Sequence, residues 1–311
     1  TYDMVGPAPT LPGILGASAP KINNADMKSY GWEMELSWRD RIEDFNYGVR
    51  FTLADGQRKV LKYPNESGDI YSWYNNKLDG TIWGYTTVGI AQTQEEMNAH
   101  LANNKPNWGS NWGAGDIMYA DLNGDGEVTS GSKTLNDHGD LKIIGNSYAR
   151  YNFGFTVDGS WRGLDFSIFL QGTMKRDYWL DGPYFWGASG DEWQSACFTE
   201  HLDYWTPEHT NAYYPKPYFG NIKKNQEVQS GYLQNAAYLR VKNVQVGYTL
   251  PKSWTKKAAM ESVRFYVSGD NLLTWTGISS IFDPETLGGD WGPGKLYPLQ
   301  RTLSVGVNVN F

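Results

Sequence analysis

Apolar and polar residues alternate along much of this chain, most cleanly in its last stretch, Leu299 to Phe311. Leu303, Val305, Val307, Val309 and Phe311 share one face, and Thr302, Ser304, Gly306, Asn308 and Asn310 share the other, because successive strand side chains point to opposite sides. A strand of a soluble sandwich can show the same alternation. A strand of roughly ten residues with a terminal aromatic is also what a transmembrane barrel needs in order to cross a thin bilayer and close. The period recurs upstream. Trp32, Met34, Leu36 and Trp38 alternate with Glu33, Glu35, Ser37 and Arg39, and Phe45, Tyr47, Val49, Phe51 and Leu53 alternate with Asn46, Gly48, Arg50 and Thr52.

Tyr151 to Val157 and Leu164 to Leu170 make a second pair, with the turn predicted at Asp158-Gly159-Ser160. Leu239 and Val241 are followed by Val244, Val246, Tyr248 and Leu250, a phase change near Lys242 and Asn243 that predicts a bulge. Val263, Phe265 and Val267 precede the terminal strand. The pattern therefore predicts seven strands, at 31–41, 43–54, 147–158, 162–173, 237–250, 261–273 and 299–311. Their connections alternate in length. Residues 41–43, 158–162 and 250–261 are brief, whereas 55–146, 174–236 and 274–298 far exceed hairpin loops. Outer-membrane barrels have short periplasmic turns and long extracellular loops, so the asymmetry predicts extracellular long loops and a periplasmic Phe311. Within the first long loop, Thr93 and Glu96 have capping-box spacing and Met97 and Leu101 share a face, which predicts one helix.

Composition sharpens this picture at a few points. Fourteen Trp and 21 Tyr in 311 residues suit interfacial girdles or sugar-stacking surfaces, since both rings carry an apolar body and a polar tip. No run approaches the roughly 18 consecutive apolar residues of a transmembrane helix, and the mean hydropathy of −0.56 reflects a polar chain, a test that a barrel would escape. A net charge of −7 with scattered Lys and Arg argues against nucleic acid. Cys197 is the only cysteine, so no internal disulfide forms. Nothing near Thr1 resembles a signal peptide, and seven strands are too few to close a barrel with so much loop, so an upstream part is expected.

Asp121-Leu122-Asn123-Gly124-Asp125-Gly126-Glu127-Val128 matches the first half of a calcium loop. Oxygens at alternate positions converge on a hard cation, and Gly126 permits the sharp turn around it. The expected ligands are the side chains of Asp121, Asn123 and Asp125 and the backbone carbonyl of Glu127, with Ca2+ stiffening the loop. The twelfth position, where a bidentate acid is required, is Ser132, leaving Asp137 or Asp140 as substitutes. An ion-free Asx-rich turn is the competing reading.

No catalytic residues are expected. His100, His138, His201 and His209 lack zinc spacing, Cys197 lacks a nucleophile context, and no nucleophile elbow, Walker or Rossmann fingerprint occurs. Acids such as Asp191, Glu192 and Glu200 read as solvated loop charges. The loop from Tyr178 to Tyr218 carries Tyr178, Trp179, Tyr184, Phe185, Trp186, Trp193, Tyr204, Trp205, Tyr213, Tyr214 and Tyr218. Most of these rings are expected to pack the loop against itself. Trp179, Trp186, Trp193 and Trp291 are the candidates for exposed ligand or partner contacts.

A succession of short motifs carries a family resemblance: Leu11-Pro12-Gly13 with Ala19-Pro20, Gly31-Trp32-Glu33, Asp121 to Gly126, Gly145-Asn146-Ser147, Trp205-Thr206-Pro207-Glu208, Leu239-Arg240-Val241-Lys242-Asn243, Gly247-Tyr248-Thr249-Leu250-Pro251 and Ser268-Gly269-Asp270-Asn271-Leu272. In this order, and with the terminal Phe311, the chain resembles the C-terminal part of SusC/RagA-type TonB-dependent outer-membrane transporters. The resemblance implies an all-β fold, the C-terminal portion of a 22-stranded antiparallel transmembrane barrel. Its N-terminal plug would lie outside residues 1–311. It further implies oligosaccharide import, or peptide import in some members, with a SusD-like surface lipoprotein over the mouth and TonB coupling through the plug. A soluble, calcium-stiffened β-protein that binds or cleaves glycans is the alternative.

Overall fold

The computed structural model describes residues 1–8, 14, 16, 20–187, 197–218, 224–288 and 292–311. Seven long strands run Ile22–Ile42, Phe45–Lys62, Arg150–Trp161, Leu164–Lys175, Gln234–Thr249, Ser262–Gly277 and Thr302–Asn310. Each pairs antiparallel with the next in sequence. Met4–Gly6 lies outside the first strand, and Asp177–Tyr178 pairs with the fifth. The sheet does not close on itself.

Pairing register carries the alternation across the whole sheet. Trp38, Val49, Val157, Ile168 and Val244 line up on one face, and Leu36, Phe51, Phe155, Leu170, Val241 and Leu273 form the adjoining row. Opposite them, Arg39, Gly48, Asp158, Ser167, Gln245, Ser268 and Ser304 make a polar row. The apolar face is uncovered: Trp38 is 62% exposed, Val267 55% and Val305 83%. Water does not tolerate an apolar surface of that extent without a cover. From Trp32 to Ile42 the first strand rises about 33 Å, which at a tilt of about 45° spans roughly the 25 Å apolar band of an outer-membrane barrel.

The short connections all fall at one end of the sheet and the long ones at the other. The second hairpin does not turn at Asp158-Gly159-Ser160. Those residues stay in the strand, where Asp158 pairs with Gly48 and Ser167, and the chain reverses at Arg162 and Gly163, with φ of 45° and 90°. An Asp-Gly pair favours turns locally, but ladder pairing on both sides outweighs that preference here. Gly159 also lies under the Phe166 ring, where an added Cβ would be 2.5 Å from the ring. The bulge falls at Lys242: Phe169 pairs with Asn243 and Leu170 with Val241.

The first two strands extend well past the predicted 31–41 and 43–54, to Ile22 and Lys62. In the first, these additional residues, Ile22 to Tyr30, mix apolar and polar side chains on both faces and give no alternating signal. At the same end the long loops fold into a body of their own. Ile70, Tyr119 and Leu141 from the first loop, Leu180 and Phe185 from the second, and Phe282 and Leu287 from the third share one buried core. The helix Gln94–Leu101 belongs to the first loop. Thr93 Oγ1 accepts the Glu96 N–H at 3.1 Å as its N-cap, and Met97 is fully buried. The Glu96 carboxylate reaches back to the Gln92 N–H rather than to Thr93. Among the described residues no helix is long and apolar enough to cross a membrane, which says nothing of strands.

Candidate functional site on the folded loops

The polar face of the sheet carries paired charges. Arg50 meets Glu35 at 2.9 Å and Arg264 meets Asp165 at 2.5 Å. Toward the loop body, Arg240, 3% exposed, binds Asp283 at 2.8 Å and Glu285 at 2.5 Å, and Lys242 joins Glu285 at 3.1 Å. The bulge explains the last contact, since it shifts Lys242 out of the regular alternation. Both Asp283 and Glu285 lie in the third long loop, so these ions fasten it to the wall.

A second polar centre joins the first and second loops. The Asp116 and Lys224 side chains are almost wholly buried and meet at 2.7 Å. Asp116 also accepts hydrogen bonds from the Gly113 N–H, the Tyr218 hydroxyl and the Asn225 amide. Lys224 Nζ donates to the Asn111 and Ser110 carbonyls and lies 4.1 Å from the centre of the Tyr218 ring. A buried ion pair requires such additional partners to offset its lost hydration. Burial and the neighbouring Asp116 charge push the Tyr218 hydroxyl pKa well up, so it stays protonated as a donor.

Beside this centre a cavity of about 200 Å3 opens in the second loop. Its walls include Trp186, Tyr204, Tyr214, Pro215, Pro217 and Tyr218. Behind this wall the Trp186 and Tyr232 rings pack at a tilt with centres 4.9 Å apart, and His201 contacts the Tyr214 ring. Phe198 N–H donates to His201 Nδ1 at 3.0 Å, which leaves Nε2 as the donor to the carbonyls of Tyr184 and Phe185, both at 3.1 Å.

The candidate tryptophans fare unequally. Trp186 is only 9% exposed, so it is not the freely presented indole the sequence suggested. Phe185, Tyr214 and Tyr232 surround it, and it serves as cavity wall. Trp179 is half-buried, with its ring centre 6.0 Å from that of Trp186. Trp193 and Trp291 lie outside the described residues. Sequence reasoning missed His201, Asp116 and Lys224. The run Tyr213-Tyr214-Pro215-Lys216-Pro217-Tyr218, two prolines among rings, was the available signal for the cavity.

The Asp121 loop is held by its own hydrogen bonds. Asp121 accepts the Gly124 and Gly126 N–H groups, Asn123 accepts that of Asp125, and Asp125 accepts that of Glu127. Those backbone bonds, chiefly the one from Gly126, lower the Asp121 pKa. Of the two substitute acids, Asp140 reaches the loop, accepting from Leu122, Asn123 and Thr129, while Asp137 binds Ser132. Among the described residues no three acidic, His or Cys side chains gather as a metal site. The fit to Ca2+ is therefore to a small donor set: two carboxylates and an amide, each oxygen with a spare lone pair. The Glu127 carbonyl adds a fourth donor; the short strand pairing there uses the carbonyls of Gly126 and Val128.

Known proteins are similar to this chain in sequence and architecture. No protein-family model matches the chain. TonB-dependent receptor P3 of Formosa agariphila is 27% identical over 341 residues, covering 100% of this chain and 31% of the relative. SusC of Bacteroides thetaiotaomicron, also a TonB-dependent receptor, is 22% identical over 304 residues, covering 93% and 27%. The chain spans about a third of the length of the curated relatives it matches. In fold it superposes on the RagAB peptide transporter with a TM-score of 0.69 at 21% identity, over 100% of this chain and 32% of that one. RagAB in an open-open state gives the same TM-score at 20% identity, over 100% and 31%. TonB-dependent receptors are outer-membrane β-barrel proteins, and the seven-stranded sheet with its uncovered apolar face is a segment of such a wall. In sequence and in fold the chain is similar to part of the barrel of SusC/RagA-type TonB-dependent receptors.

Proposed function

We propose that this chain supplies wall and outer loops to an active importer that moves oligomeric nutrients across the outer membrane. One observation carries the reading: the sheet has a continuous apolar face and an ion-paired polar face, and its loop body lies at one end only. In this reading the apolar face meets lipid, the polar face lines a wet lumen, the loop body is extracellular and Phe311 is periplasmic. TonB drives the cycle through a plug, and a SusD-like lipoprotein covers the loops. The relatives' descriptions as TonB-dependent receptors and as SusC support that arrangement. The side chains described here act by binding and by shaping a passage, and no catalytic step is assigned to them.

Oligosaccharides are the cargo that the SusC-like motifs suggest. Peptides are the second reading, favoured by the likeness to RagAB, a peptide transporter, and by the apolar cavity walls. Uptake of labelled oligosaccharide and oligopeptide by cells that carry or lack the receptor tests the proposal. Receptor-dependent uptake of one of them, stopped by a protonophore, is expected. Uptake that ignores both the receptor and the protonophore would refute it.

The Asp121, Asn123, Asp125 and Glu127 loop is proposed to bind Ca2+ as a structural ion. So small a donor set belongs with the weak extracellular modules, at about 10⁻⁴–10⁻³ M. Millimolar Ca2+ should protect residues 121–132 from proteolysis, and Asp125→Ala should abolish the protection. Equal cleavage with calcium and with chelator would show an ion-free turn. Without metal the turn leans on ionised Asp121. Its lowered pKa means that this support is complete above the ordinary value of 3.8 and is lost as pH falls through the folded-state pKa.

A further inference from the structure

A notch interrupts the wall where it meets the first long loop. Over residues 45–54 the second strand pairs with the third, and over residues 58–60 it pairs with residues 77–79 of the loop. Residues 55–57 lie where the partner changes, and Tyr151, with φ of 56°, drops out of the pairing there. The gap is a cavity of about 210 Å3, walled by Gln57, Arg58, Leu78, Asp79, Asn146, Tyr148, Arg150 and Lys175.

Three of these eight residues are cations and one is an acid. Arg150 is spent on Asp55, to which it donates twice. The Asp79 carboxylate stands 3.8 Å from Arg58, too far for a hydrogen bond, and the Arg58 guanidinium lies 5.7 Å from the centre of the Tyr148 ring. Among the described residues no carboxylate pairs with Lys175. Asn146 is engaged, donating to the Asp79 carbonyl and accepting the Tyr148 N–H. Gln57 Oε1 accepts the Tyr30 hydroxyl, which leaves its amide nitrogen as a donor. Three cations against Asp55 and Asp79 leave one positive charge without a partner, in a cavity rich in donors.

We infer that this notch binds a carboxylate of the cargo, with Arg58 and Lys175 as its cationic partners. The assignment rests on the importer reading and narrows its cargo to acidic oligomers, the carboxylate being that of a uronic acid or of a peptide. A carboxylate brings the one negative charge that is missing, and guanidinium and ammonium groups hold it by charge-assisted hydrogen bonds roughly twice as strong as neutral ones. A phosphate monoester, at about −1.5 to −2, would leave surplus negative charge beside Asp79. Neutral hydroxyls would leave the Lys175 charge unmatched. The place also suits cargo, because the notch sits at the loop end of the second, third and fourth strands, between the loop body and the wall.

The intact receptor in detergent is titrated calorimetrically with tetragalacturonate and its methyl ester, and with N-acetylated Gly-Ala-Ala-Ala-Gly as free acid and as C-terminal amide. In at least one pair the acid is expected to bind about tenfold more tightly than the neutral form, and the pair that does so names the source. Arg58→Gln and Lys175→Gln, both at exposed positions, should each remove most of that preference and leave the neutral form within about twofold. In the wild type, acetylation of Lys175 followed by mass spectrometry should slow with the acid and not with its neutral form, a measurement that needs no variant. Equal or absent binding of the acids in both pairs, a preference that both variants retain, or Lys175 acetylation indifferent to the acids overturns the assignment. Lipopolysaccharide that copurifies with the wild type and not with Lys175→Gln, without any preference for acids, would give the notch to a lipid phosphate instead. Protonophore-sensitive uptake without acid preference would overturn the notch assignment alone, and acid preference without such uptake would overturn the importer reading alone.

Discussion

Asp116→Ala is expected to unfold the loop body while the strands stay in place. The substitution leaves the Lys224 ammonium buried without its counter-ion and removes the acceptor for Gly113, Tyr218 and Asn225. Removing one partner of a buried, hydrogen-bonded pair costs about 3–5 kcal/mol. That is a large share of what a small folded unit has to spare. Limited proteolysis of the detergent-solubilised receptor should show new cuts within 110–120 and 205–218, with the heat-modifiable barrel band unchanged. Asp116→Ala combined with Lys224→Met should recover much of the resistance, because no unpaired charge remains. Wild-type resistance in the single variant would mean that the first and second loops are held together by their apolar core alone.

The second large effect is expected on the apolar face. Val267 sits between Val246 and Val305, is 55% exposed in this sheet, and points away from the ion pairs. Val267→Arg should cost about 2–4 kcal/mol of folding stability in vesicles, the penalty of a cation near the bilayer midplane. Ser268→Arg, one residue along, should cost little, since its side chain joins the polar row with Gln245 and Ser304. Denaturant titration of both variants checks the asymmetry. Equal costs at the two positions would mean that both faces meet the same solvent.

How much of this was legible in the sequence depends on the range of the interactions. Strands at 162–173 and 299–311 showed themselves because one face is mainly apolar and the other mainly polar, with Phe169 as an exception on the polar side. The phase change at Lys242 located a true bulge for the same reason. The turn at Arg162-Gly163 was hidden by a stronger local turn signal at Asp158-Gly159, which the strands on both sides overrode. In the loops, elements such as Thr87–Ile90 and Glu127–Val128 are too short to carry a period. Asp116 and Lys224 meet across 108 residues, a distance that no local pattern reports. The aromatic density of 178–218 did announce a packed region. Which ring stands free and which is wall depends on tertiary contacts, and those placed Trp186 inside.

The central claim is that the two faces of this sheet meet different solvents, lipid on one and water on the other. Single cysteines at Phe166, Ser167, Ser304 and Val305, each spin-labelled in the receptor reconstituted into vesicles, test it directly through collision with oxygen and with a water-soluble nickel chelate. The account predicts that labels at Phe166 and Val305 collide mainly with oxygen in the bilayer, and labels at Ser167 and Ser304 mainly with the chelate. The reverse pattern, or chelate access at all four positions, would contradict it.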